Sequence, residues 1–252
     1  MSSKISIVSV DGNIGSGKST LLSSLRKYYK DTNNDINNDI NNDINNDINN
    51  DINNKINIVF LDEPVDEWEK IKDENGVTML EKFYSDPEKY SFSFQMMAYI
   101  SRLKILREAV NKIKNNNSTE KTIIITERSL YTDKCVFAKM LYDTGKIETV
   151  NYQIYLSWFD TFTEEFPLDK IIYVKTNPEI CYSRINKRAR EGEENIPLQY
   201  LTDCDKYHED MIENLLEYRS RLTLNGNIDM YVCENHTYLE GWLREINNFI
   251  QK

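Results

Sequence analysis

The sequence predicts an α/β protein built on a five-stranded parallel sheet flanked by helices, and three observations predict it. Five apolar segments, at residues 5–10, 56–61, 122–126, 170–175 and 228–233, have the length and β-branched content of buried strands. Segments of helical periodicity lie between them, the alternation that builds a doubly wound parallel sheet. The run Gly12-Asn-Ile-Gly-Ser-Gly-Lys18-Ser19-Thr20 follows the first apolar segment directly and leads into a helical run with Leu21, Leu22 and Leu25. It is a G-x-x-x-x-G-K-S phosphate loop in its strand–loop–helix setting. Ligands of such sheets gather at the carboxyl ends of the strands, so the chemistry belongs there.

Taken in order, the first element is this loop. Its glycines let the backbone curl so that several N–H groups face one anion, and the helix N-terminus adds its positive end. Lys18 can reach the outer phosphates and Ser19 can hold Mg²⁺. The expected ligand is therefore ATP or another nucleoside triphosphate, cradled by Gly12, Asn13, Ile14, Gly15, Ser16, Gly17, Lys18, Ser19 and Thr20. Five copies of Asn-Asn-Asp-Ile follow at 33–52, then a decayed copy at 53–56. Asn and Asp are poor helix formers, and a period of four fits neither a solenoid nor a heptad. The segment reads as a low-complexity insertion, at 33–56, in a surface loop of a single domain spanning 1–252, and as dispensable for activity.

The second strand ends in Leu61-Asp-Glu63-Pro-Val-Asp-Glu-Trp68. Glu63 could accept a proton from a hydroxyl attacking a γ-phosphate; a solvated turn acid is the alternative. Asp86-Pro87 supplies an N-cap and first-turn proline for a long helix toward Lys112. Gln95, Ala98 and Arg102 share one face of it, an arrangement suited to a nucleobase edge. The third strand ends in Thr126-Glu127-Arg128-Ser129. Glu127 could hold Mg²⁺ through water and Arg128 could neutralise phosphate charge; a surface ion pair is the alternative. Arg184, Arg188 and Arg190 lie in one basic segment, the first two at i, i+4 on a helix. In a P-loop kinase such a segment closes as an Arg-rich lid over the transferred phosphoryl group. Pro197 opens a helix toward Leu222, and a last helix covers 238–250.

Composition narrows the partners. The chain of 252 residues carries a net charge of −10, and five of its acids lie in the repeat, leaving −5 elsewhere. No nucleic-acid-binding face is expected. Cys135, Cys181, Cys204 and Cys233 form no C-x-x-C pair and there are two histidines, so buried free thiols are expected rather than zinc or disulfides. No apolar run is long enough to span a membrane, and the first strand begins too close to Met1 for a targeting peptide. A soluble cytoplasmic protein is the expectation.

Together these segments resemble the deoxyribonucleoside kinase family, in the branch of deoxycytidine, deoxyguanosine and deoxyadenosine kinases. The matching pieces occur in family order over nearly the whole chain. They are the phosphate loop, Glu63-Pro-Val-Asp-Glu-Trp68, Phe83-Tyr84, Ser91-Phe-Ser-Phe-Gln95, Glu127-Arg-Ser129 with Tyr131 and Asp133, and Arg184-x3-Arg188-x-Arg190-x2-Glu193. The resemblance implies a P-loop kinase fold, usually a homodimer, transferring phosphate from ATP or another triphosphate to a deoxynucleoside 5′-hydroxyl in nucleotide salvage. It implies that Glu63 is the base, that Arg128 contacts the hydroxyl and phosphates with Lys18, and that Ser19 and Glu127 lie beside Mg²⁺. Tyr84 and Glu193 match residues that hold the sugar 3′-hydroxyl; Arg188 and Arg190 match lid arginines. Gln95 matches the reader of the base, with Trp68 and Phe137 as walls. Ala98, Arg102 and Asp133 match the base-selecting positions. An Asp133 acceptor favours an exocyclic amino group and disfavours thymine O4. Ala98 leaves room for a purine, so the expectation leans to deoxyadenosine or deoxyguanosine, with deoxycytidine next. The segment 234–238, taken as following the last strand, matches the family's donor-base contacts poorly. The competing readings are a nucleoside monophosphate kinase, which needs further basic residues for the acceptor phosphate, and a non-catalytic nucleotide-binding module.

Overall fold

The computed structural model describes residues 5–38, 56–116, 121–190, 193, 196–215, 220–229 and 236–252. Its strands are β1 (Ile5–Asp11), β2 (Asn57–Leu61), β3 (Thr122–Glu127), β4 (Lys170–Lys175) and β5 (Ser220–Asn225). They form one wholly parallel sheet in the order β2-β3-β1-β4-β5. Parallel neighbours need long crossovers, here helical, and the helices cover both faces. Strand residues therefore alternate between two cores rather than between core and water. Ile7, Ile124 and Ile171 face Tyr99, Tyr155 and Phe159. Val8, Ile123, Ile125 and Ile172 face Leu21, Leu22, Leu25 and Ile246.

The phosphate loop leaves β1 and enters α1 (Lys18–Asn38). After β2 come α2 (Val65–Trp68), α3 (Met79–Ser85) and the long α4 (Pro87–Asn115). Asp86 caps α4 as expected, its side chain accepting from the Lys89 amide, with Pro87 in the first turn. Beyond β3 lie α5 (Leu130–Thr132), a π-helical turn at Asp133–Ala138, α6 (Lys139–Asp143) and α7 (Thr149–Thr163). Beyond β4 lie α8 (Pro178–Arg188), α9 (Leu198–Asp210) and a second π-helical turn (Met211–Leu215), and α10 (His236–Gln251) closes the fold. No helix among the described residues is long and apolar enough to cross a membrane. Cys135, Cys181 and Cys204 are free thiols, and Cys233 lies outside the described residues.

The structure corrects four expectations. The fifth strand is Ser220–Asn225, not 228–233; Ile228 and Asp229 lie outside it, and 230–233 fall outside the described residues. The helix opened by Pro197 accordingly ends well before Leu222. β5 pairs only with β4 and is mostly exposed, so its apolar signal reduces to Leu222 and Leu224, which pack toward α10. The segment after the last strand is thus 226–229 rather than 234–238, of which 234 and 235 are not described. The repeat also begins inside a helix, because α1 runs on to Asn38. Extending an existing helix avoids the nucleation cost, so even poor formers are carried. The rest of the repeat lies outside the described residues.

Candidate active site

The phosphate loop is shaped from behind by its neighbours. Gly12 and Gly15 hold φ of 145° and 75°. A Cβ on Gly12 would stand 2.6 Å from the Val174 carbonyl oxygen, and one on Gly15 would stand 2.7 Å from that of Cys181. Only glycine allows both approaches. Asn13 braces the loop, its amide donating to the Leu201 carbonyl and its Oδ1 accepting from the Ile14 amide, each at 2.8 Å. Lys18 is buried and its Nζ donates to the Asn13 carbonyl at 2.7 Å. Burial, then the Arg128 charge, lowers its pKa to about 7. A bound polyphosphate would restore its charge.

The turn after β3 faces the loop. The Ser19 hydroxyl donates to Glu127 Oε1 at 2.8 Å. This pair of hard oxygen donors at the mouth of an anion cradle fits Mg²⁺, which takes few protein ligands and shares the rest with phosphates and water. Among the described residues there is no cluster of three or more metal-ligating side chains. Arg128 has φ of 65°, a left-handed conformation costing a non-glycine residue about 1–3 kcal/mol. Its Nε donates to Glu63 Oε1 at 3.2 Å and its Nη1 to the Gly12 carbonyl at 2.8 Å, while the guanidinium lies over the Phe137 ring. Glu63 Oε1 also accepts from Arg102 Nη2 at 3.1 Å. Burial would raise the Glu63 carboxyl, but Arg128, Arg102 and Lys18 outweigh it and hold it below the ordinary range. It is ionised at neutral pH.

Beyond Glu63 the cavity becomes an aromatic chamber. Phe83 and Phe94 stack at 4.5 Å between ring centres, and Trp68 meets Phe94 edge-on. The Trp68 indole donates to the Ser101 hydroxyl at 2.8 Å, which fixes the ring. Gln95, Ala98 and Arg102 line the chamber from α4, and the π-helical turn supplies Asp133 and Phe137. Arg102 Nε approaches Asp133 Oδ2 at 3.4 Å without forming a hydrogen bond. Arg102 Nε and Nη1 and Asp133 Oδ2 are buried with no hydrogen-bond partner among the described residues. Burial raises the Asp133 carboxyl to about 6 despite the arginine beside it, because so loose a pairing leaves most of the desolvation unrelieved.

The basic segment divides in function. Arg184 is spent on backbone carbonyls: Nη1 donates to Ser16 and Gly226, and Nη2 to Ile228. It ties the phosphate loop to the turn after β5. Arg188 ends α8, Ala189 takes a left-handed conformation at φ of 47°, and Arg190 follows. Both arginines pair with the buried Glu193.

One cavity of about 440 Å³ collects the residues singled out from the sequence. Every residue given a catalytic, metal or binding role lines it except Gly12 and Asn13, which lie behind the loop's lining face. Tyr200 and Trp242 line it as well, and neither carries a role in the sequence reading. Tyr200 follows Pro197 by three residues on α9 and turns toward Tyr84, a meeting that only the folded chain creates. Asp11 was also passed over, although a carboxylate ending an apolar strand directly before a phosphate loop is a signal in itself.

A family model described as deoxynucleoside kinase matches residues 46–251. The chain is 32% identical over 227 residues to a probable deoxycytidine kinase of fowlpox virus, covering 88% of this chain and 79% of that protein. It is 31% identical over 223 residues to human deoxycytidine kinase, covering 82% and 75%. It is 30% identical over 220 residues to a mitochondrial deoxyguanosine kinase of Xenopus laevis, covering 80% and 71%. With most of its length matched and a phosphate loop opening onto an aromatic chamber, the chain belongs to the deoxynucleoside kinase family of phosphotransferases.

Proposed function

We propose that this kinase transfers the terminal phosphoryl group of ATP, or of another nucleoside triphosphate, to the 5′-hydroxyl of a deoxynucleoside whose base carries an exocyclic amino group. The observation that carries this reading is the place of Glu63, an ionised carboxylate held by two guanidinium groups where the phosphate loop meets the chamber. Glu63 takes the 5′-hydroxyl proton as that oxygen attacks the γ-phosphorus; the bond to the β–γ bridging oxygen breaks and the nucleoside diphosphate leaves. Lys18 and Arg128 balance the charge on the transferred group, with Arg188 and Arg190 closing over it. Ser19 and Glu127 would hold Mg²⁺, which supplies further charge neutralisation when bound.

On the acceptor side Tyr84 and Glu193 take the 3′-hydroxyl, Trp68 and Phe137 flank the base, and Gln95 reads its edge. Asp133 accepts from the amino group and Arg102 donates to a ring acceptor, so the unpartnered atoms of both are satisfied by substrate. Thymine, with an oxygen in place of the amino group, leaves Asp133 unpaired and is rejected. Ala98 leaves room for purines, which we place ahead of deoxycytidine. A transfer assay with ATP and Mg²⁺ against deoxyadenosine, deoxyguanosine, deoxycytidine, thymidine and their monophosphates tests this. Turnover of amino-bearing deoxynucleosides with little thymidine turnover is expected, and equal use of thymidine would remove Asp133 from base selection.

We also propose a homodimer. Val150, Ile154 and Trp158 recur at four-residue spacing along α7 and are exposed, forming an apolar stripe that a second copy would cover. Light scattering at micromolar concentration checks it; a monomer that persists at high concentration would refute it.

A further inference from the structure

The end of β1 grips the turn after β3 at three successive residues. The Val10 carbonyl accepts from the Arg128 amide at 3.0 Å, the Asp11 carboxylate from the Ser129 amide at 3.2 Å, and the Gly12 carbonyl from Arg128 Nη1 at 2.8 Å. Asp11 is fully buried and does not line the cavity. Its Oδ1 also accepts from the Thr132 hydroxyl and its Oδ2 from the Ser9 hydroxyl. A carboxylate is costly to bury, and this one is committed to holding one turn. Within that turn Arg128 stands in its left-handed conformation, which persists only where the surroundings over-determine it. Asp11 supplies the anchor on the far side of Arg128, where no β-ladder continues.

We propose that Asp11 is a positioning residue for phosphoryl transfer: its carboxylate fixes the 127–129 turn so that Arg128 is aimed at Glu63 and at the phosphate loop together. This rests on the reading of Arg128 and Glu63 given above. Asp11 touches no substrate; it acts through Arg128.

The test uses Asp11→Ala and Asp11→Asn, each alone and combined with Arg128→Lys, with kcat and both KM values measured on protein shown to be folded by circular dichroism. Asp11→Ala is expected to lower kcat on the order of 10²-fold while the nucleoside KM stays within about threefold, because a small misplacement of a charge-stabilising group is enough to slow transfer. Asp11→Asn keeps an acceptor toward Ser129 and Thr132 and donates to Ser9, so it should retain turnover within about threefold. On the Arg128→Lys background, Asp11→Ala should add less than about threefold, since the interaction it serves is already lost. Full turnover in Asp11→Ala, an Asp11→Asn enzyme as impaired as Asp11→Ala, or a loss that multiplies undiminished onto Arg128→Lys would each overturn the inference. Arg128→Lys at wild-type turnover would instead overturn the underlying reading of Arg128. If Asp11→Ala does not fold, Thr132→Val removes one donor to the carboxylate at nearly constant volume. It should lower kcat about fivefold, with the same loss of effect on Arg128→Lys, and an unchanged kcat would count against Asp11.

Discussion

Glu63, at the end of β2, and Asp133, at the start of the π-helical turn, stand on either side of the Arg102 guanidinium, yet their surroundings drive them in opposite directions. Burial pushes both toward the neutral acid. Glu63 meets Arg128 and Arg102 in hydrogen-bonding geometry, with Lys18 and Arg190 beyond, and ends below the usual carboxylate range. Asp133 has one arginine at 3.4 Å without a hydrogen bond, and ends near 6. Both have a cation at hand, so proximity alone does not decide ionisation; the number of cations and the quality of the bonds to them do. In the proposed mechanism the first carboxylate is thereby kept charged to meet a hydroxyl proton, and the second is left for the base to complete.

Four measurements break or sharpen this contrast. Glu63→Gln removes the charged partner and should lower kcat by roughly 10²–10⁴-fold in steady-state assays, the scale of general-base loss. Near-normal turnover would end its assignment as base. Replacing Asp133 by Ala together with Arg102 by Met should cut the preference for amino-bearing bases over thymidine by roughly 10²-fold, read as a ratio of kcat/KM values. An unchanged ratio would move base selection elsewhere. The third measurement is pH dependence. Asp133 must be ionised to accept from the base, so kcat/KM for the nucleoside should fall about tenfold per pH unit below about 6. Asp133→Asn should remove that limb, whereas Glu63, already ionised there, contributes none of it. The linked stability runs with the sign of a raised carboxyl. The folded protein holds the Asp133 proton more tightly than the unfolded chain, so the associated stability is full below the unfolded value of 3.8 and is lost as pH rises through about 6. Asp133→Asn should therefore raise the melting temperature of the empty protein at pH 7 and not at pH 4. The smallest effect is expected from deleting residues 37–52, four repeats in phase, which should leave kcat within about twofold because none of the described residues that line the cavity lies in that stretch. A large loss would tie the repeat to the site.

Much of this arrangement was legible in the sequence because its signals are local. The phosphate loop, Glu63 before Pro64, the Glu127-Arg128 pair and the basic segment are short strings at strand or helix ends, and the sheet brings those ends together. β5 was misplaced because an edge strand buries one side only, and Leu222 and Leu224 offered less than the apolar run at 228–233. The Asp11 anchor on Ser129, the Tyr200 contact with Tyr84 and the diversion of Arg184 to backbone carbonyls depend on residues at least 42 positions apart. No window of sequence contains such partners. The unequal ionisation of Glu63 and Asp133 is equally hidden, since a carboxylate reads the same in sequence whatever surrounds it.

The strand order has a consequence for how such an enzyme changes over generations. β1 stands in the middle, with β2 and β3 on one flank and β4 and β5 on the other. Glu63, Trp68, Arg102 and Asp133 come from the first flank, and Arg184, Gly226 and Ile228 from the second. The phosphate loop is the seam between them. The residues we propose to select the base all lie on the first flank, so substitutions among them leave untouched the brace that Arg184 gives the phosphate loop from the second.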